Sequence, residues 1–107
     1  VRYRRRQMSW ADEHVAALVH GETVKFRPTG SSMKGKIESG QLCEVAPISG
    51  GLNEGDIVLV KVKGRVYLHL IKQISKSGTY LIGNNKGYNN GWVERDAIFG
   101  KLLSVTD

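Results

Sequence analysis

From residue 41 onward the chain keeps one rhythm, and that rhythm leaves little choice of fold. Gln41 to Ala46, Asp56 to Val62, Arg65 to Ile74, Thr79 to Ile82 and Ala97 to Val105 are rich in Val, Ile, Leu and Tyr. Gly, Asn or Ser bounds each run, which predicts short strands separated by turns. Val24-Lys25-Phe26 alternates in the same way, and Lys63-Gly64 has the length of a tight hairpin connection. Ahead of these, Ser9 to Val19 has helical spacing. Trp10, His14, Ala17 and Leu18 fall near one stripe, Asp12 and Glu13 occupy the first turn where the helix dipole favours them, and Gly21 follows as a stop. The fold expected is mainly β, with a short helix at its N-terminal edge. A length of 107 residues suits one domain; residues 1–8 read as a basic arm and residues 9–107 as the folded unit.

Composition enters where it excludes. With 40% apolar residues, 24% charged residues and 2 prolines, the chain is neither disordered nor collagen-like. Cys43 is the sole cysteine, so neither an internal disulfide nor a multi-cysteine zinc site is available, and a cytoplasmic setting is expected. No apolar run approaches the ~18–20 residues that span a bilayer, and no signal-peptide pattern opens the chain. No glycine pattern matches a phosphate-binding loop, and His14, His20 and His69 are scattered, so neither cofactor nor metal is expected. The net charge of +6 points to an anionic partner. Arg2, Arg4, Arg5 and Arg6 form a cluster that attracts phosphates without sequence specificity, which leaves nucleic acid open as a partner. A solvated arm, or a piece of a longer protein, is the plainer reading. A plain nucleic-acid-binding β domain would interleave aromatics with lysines, and no strand carries Trp10, Tyr67, Tyr80, Tyr88 or Trp92 in that pattern.

One serine stands in an unusual setting. Gly30-Ser31-Ser32-Met33 follows a strand, and the glycine lets the backbone turn sharply enough to present a hydroxyl. A hydroxyl is a poor nucleophile unless a base takes its proton. The candidate base is His69, in Val66-Tyr67-Leu68-His69-Leu70-Ile71, where alternation puts Tyr67, His69 and Ile71 on one face and Val66, Leu68 and Leu70 on the other. A polar ring in a strand apolar on both faces must be hydrogen-bonded or exposed.

Phe26-Arg27-Pro28-Thr29-Gly30-Ser31-Ser32-Met33 resembles the nucleophile box of the signal peptidases and LexA-type autopeptidases. Leu52-Asn53-Glu54-Gly55-Asp56-Ile57-Val58-Leu59-Val60 is similar to the Gly-Asp-Ile/Val-Val box that precedes their base-bearing strand. Bacterial signal peptidases and LexA-type proteins carry lysine in that strand, whereas the endoplasmic-reticulum and archaeal enzymes carry histidine, as here at His69. Gly83-Asn84-Asn85-Lys86-Gly87-Tyr88-Asn89-Asn90 looks like the Gly-Asp-Asn box, and Phe99-Gly100-Lys101-Leu102 like the closing Gly-Lys strand. The ordered set covers residues 24 to 105 and implies a LexA/signal-peptidase-like β domain.

The departures concern activity. Gly35 stands where signal peptidases usually carry proline, and Gly30 where many bacterial ones carry a side-chain oxyanion donor. Where histidine-type enzymes have aspartates, this chain has Asn84, Asn89 and Asn90; an asparagine can orient a histidine but supplies no charge. Asn89 and Asn90 are the candidate orienting residues, while Asp96 lies beyond the box. Ordinary turn chemistry accounts for Asn84 to Gly91 equally well, since Asn and Gly tolerate positive φ.

What the resemblance implies is a serine endopeptidase in which His69 takes the Ser32 proton and the Ser31–Met33 loop supplies the oxyanion site. A polypeptide adding to an exposed strand edge is the expected substrate. Family-style self-cleavage needs an Ala-Gly or Cys-Gly bond, and the sequence contains neither. LexA-type relatives dimerise, so a homodimer is a further expectation. The competing reading is a peptidase-fold module without catalysis, serving regulation, dimerisation or nucleic-acid-associated binding.

Overall fold

The computed structural model describes residues 10–107. The arm residues Arg2, Arg4, Arg5 and Arg6, and the expected helix start at Ser9, lie outside the described residues. The helix α1 runs Asp12–Val19, with Asp12 and Glu13 in its first turn, and Gly21 follows at φ 88°. Seven strands come after it: β1 (Val24–Phe26), β2 (Leu42–Ala46), β3 (Ile57–Val62), β4 (Arg65–Ile74), β5 (Tyr80–Gly83), β6 (Asn89–Val93) and β7 (Ile98–Thr106). A 3₁₀ turn at Arg95–Ala97 leads into β7. The fold is mainly β, as the strand-and-turn rhythm predicts.

All seven strands form one antiparallel sheet in the order β1-β2-β7-β3-β4-β5-β6. Lys63 and Gly64 join β3 to β4 with φ of 51° and 84°, and Val62 pairs with Arg65 across them. Positive φ at both positions matches the twist of the flanking strands. The continuous apolar run in β3 has a simple cause: both of its faces are covered. Leu59 belongs to a cluster with Leu18, Met33, Ile37, Cys43, Val45, Leu68 and Leu70. Val58, Val60 and Val62 belong to a second cluster with Ile71, Ile82 and Ile98. Period-two alternation divides the strand between two cores. At Gly100 the helix and β2 both lie so close that a Cβ would meet Leu18 Cδ1 at 3.0 Å and Val45 Cγ1 at 2.8 Å.

The strand β6 departs from expectation. Its sequence, Asn-Asn-Gly-Trp-Val, is poor in strand formers, and alone it reads as turn. Pairing with β5 makes it a strand nonetheless: Tyr80 opposes Val93, Leu81 opposes Trp92, and Ile82 opposes Gly91. The register then shifts, so that Gly83 opposes Asn89 and Asn90 is the extra residue of a bulge.

Candidate active site

His69 stands on β4 opposite Val58 of β3, and its residue is 6% exposed. Burial of an imidazole is unfavourable unless its nitrogens are bonded, and both are. Nε2 lies 3.1 Å from Ser32 Oγ, and Nδ1 lies 2.8 Å from Asn90 Oδ1. The amide oxygen can only accept, so Nδ1 carries the proton and Nε2 is left to accept from the serine hydroxyl. Tyr67 stacks on the ring with centroids 4.7 Å apart. Burial pushes the His69 pKa below its ordinary value, and the Asn90 hydrogen bond opposes that shift less strongly. The ring is therefore neutral at neutral pH, with its lone pair facing a hydroxyl. That is the arrangement a general base requires.

Ser32 opens a turn closed by bonds from the N–H groups of Lys36 and Ile37 to the Met33 carbonyl, at 2.9 and 2.8 Å. Met33 and Ile37 are buried in the first core and anchor this loop. Met33 thus contributes its side chain to the core. Among the described residues, the N–H groups of Ser32 and Met33 have no hydrogen-bond acceptor. Gly30, at φ 112°, makes the bend that precedes them, and its N–H donates to Ser39 Oγ at 3.1 Å. Ser31 is exposed, and its hydroxyl accepts from Lys86 Nζ at 3.3 Å.

The asparagines divide their work. Asn84 builds the turn, with Oδ1 accepting from the N–H groups of Lys86 at 2.8 Å and Tyr88 at 2.9 Å. Asn89 is exposed and is not among the partners of His69. The place beside the ring falls to Asn90, because the bulge re-aims that side chain inward. Asp96 sits in the exposed 3₁₀ turn and does not contact His69 either. Two contacts went unread in the sequence. Asn85 bonds the serine loop twice, through its N–H to the Ser32 carbonyl and its Nδ2 to the Lys34 carbonyl. Its only signal is its place in the Gly-Asn-Asn run.

A cleft of about 210 Å³ opens beside Ser32 and His69, walled by Trp10, Met33, Ile37, Val66 and Leu68. The last β4–β5 pair is Leu70 with Gly83, so Arg65 to His69 pair with β3 alone and leave one strand edge free at the cleft. Outside this site, His14 stacks on Phe26 at 4.7 Å and Cys43 is buried, its thiol pKa pushed up by desolvation. Among the described residues no group of three or more His, Cys, Asp or Glu side chains could hold a metal. No helix among them is long and apolar enough to cross a membrane.

Compared with models of known families, residues 2–103 match Peptidase S24-like. Among curated proteins, none matches the chain.

Proposed function

The chain belongs to the Peptidase S24-like family, and we propose that it is a serine endopeptidase working through Ser32 and His69. One observation carries the reading. A neutral, buried imidazole lies 3.1 Å from a serine hydroxyl, with its far nitrogen held at 2.8 Å by a side-chain oxygen. In this scheme Ser32 Oγ attacks the peptide carbonyl as His69 Nε2 takes its proton. His69 then protonates the leaving amine, and water, activated by the same base, releases the acyl group from Ser32. The N–H groups of Ser32 and Met33 would receive the negative charge that develops on the carbonyl oxygen.

The substrate is an extended polypeptide. The unpaired edge of Arg65 to His69 offers backbone hydrogen bonds, and the cleft beside it mixes apolar side chains such as Met33, Ile37 and Leu68 with polar ones such as Glu38 and Ser39. A single buried cysteine suits a reducing compartment such as the cytoplasm.

The test is digestion of a diverse peptide mixture, read by mass spectrometry, with wild type beside Ser32→Ala and His69→Ala. Cuts present in wild type and lost in both variants are expected. Cuts that persist in Ser32→Ala would remove the nucleophile assignment. Folded proteins that never cut would favour a peptidase-fold module without catalysis.

A further inference from the structure

A loop serine meets its base reliably only if something holds the loop against the strand that bears the base. Three hydrogen bonds reach the serine loop from the turn at residues 84–88. Asn85 N–H donates to the Ser32 carbonyl at 2.9 Å. Its side-chain Nδ2 donates to the Lys34 carbonyl at 2.8 Å. Lys86 Nζ donates to Ser31 Oγ at 3.3 Å. The turn is also tied to β4, because Lys72 Nζ donates to the Asn84 carbonyl at 2.9 Å. Contact is close on the loop side: a Cβ on Gly35 would stand 3.1 Å from Asn85 Nδ2. The 84–88 turn therefore bridges the two segments whose separation sets the Ser32–His69 distance.

We propose that Asn85 is a positioning residue, which clamps the Ser32 loop to this turn and so keeps Ser32 Oγ within hydrogen-bonding reach of His69 Nε2. The proposal rests on the Ser32–His69 reading and deepens it. Asn85 does not contact His69; it acts through the backbone of the serine's own loop. Met33 and Ile37 anchor the same loop in the core to which β4 contributes Leu68 and Leu70, and the Asn85 bonds add a second tie at the Ser32–Lys34 backbone. Asn85→Ala keeps the backbone bond to Ser32 and loses the side-chain bond to Lys34. Asn85→Asp keeps the size but sets an acceptor against the Lys34 carbonyl.

A displacement of about 1 Å at a reacting group can cost roughly 100-fold in rate. The expected result for both variants is a fall in kcat of about 10–100-fold with KM little changed. The second readout does not need activity. The ¹⁵N shifts of the His69 ring are compared in wild type, Ser32→Ala, Asn85→Ala and Asn85→Asp, each as the full chain, beside thermal unfolding. Nε2 shifts in the Asn85 variants that move toward the Ser32→Ala value, in proteins still folded, support the clamp. Wild-type shifts with wild-type kcat overturn it. Loss of the fold in both variants also overturns it, because Asn85 would then be structural only. If wild type cuts no peptide, the endopeptidase reading falls while the ring shifts still decide whether Asn85 positions Ser32.

Discussion

At Asn90 the side chain that meets His69 Nδ1 is an amide, and the difference between an amide and a carboxylate can be followed through the proposed reaction. With Oδ1 on Nδ1, the amide holds the tautomer that leaves Nε2 free. What it lacks is negative charge to stabilise the imidazolium once the serine proton has arrived. Asn90→Asp should therefore raise kcat, by up to about tenfold for each unit gained in ring basicity. It should also move the acid limb of the pH–rate profile to higher pH; an unchanged profile would show that charge is not what limits this site. The same ring gives stability a pH dependence. Burial holds the His69 pKa below its ordinary value of about 6.5. Between those two values the unfolded chain binds more protons, so stability is full above about pH 6.5 and is lost as pH falls through the folded pKa. Urea midpoints measured from pH 8 down to pH 4 should fall along that limb in wild type and fall less in His69→Gln.

The element that matters most to the site is β6, the least strand-like in sequence. Its pairing with β5 depends on Gly83, where a Cβ would stand 2.6 Å from the Tyr88 carbonyl and 2.8 Å from Asn89 Oδ1. Both contacts are far too short, and one is to backbone, so Gly83→Ala must push β6 away from β5 and carry Asn90 with it. Overpacking of this kind costs about 1–3 kcal/mol. We expect a lower melting temperature together with a disproportionate loss of activity. Gly51→Ala is the control, since nothing lies within 4 Å of a Cβ there and its φ is ordinary. That change should stay within about 0.5 kcal/mol of wild type. Equal effects from the two substitutions would mean that the β5–β6 contact does not govern the site.

On the scale of the whole molecule, the sheet carries a core on each side, and β3 belongs to both. β7 pairs with β2 and with β3, so the last strand of the chain closes the middle of the sheet. Leu59 is fully buried at that junction, and Leu59→Ala should cost about 2–5 kcal/mol. Against a typical total of about 5–15 kcal/mol, that is a large fraction of the stability. Urea unfolding followed by circular dichroism should show one transition shifted to lower urea; two separate transitions would mean that the cores unfold independently. How much of this was legible in the sequence follows from the range of the forces involved. Alternation, turn residues and apolar runs act over a few residues, and these were enough to place β1 to β5 and β7 and the Lys63-Gly64 hairpin; Ser32 and His69 stood out as a pair through the family resemblance of the motifs that carry them. β6 was not legible, because Asn-Asn-Gly has no strand preference of its own and takes that form only when β5 offers its edge. Nor could spacing decide which asparagine meets His69. A single bulge turns Asn90 inward and leaves Asn89 in solvent, while Asn85 reaches a loop 51 residues earlier in the chain. Local sequence thus determined the strands and the chemistry available to them. The tertiary structure alone decided which side chains share the site, because hydrogen bonds between distant segments exist only once the sheet has brought donor and acceptor within bonding distance.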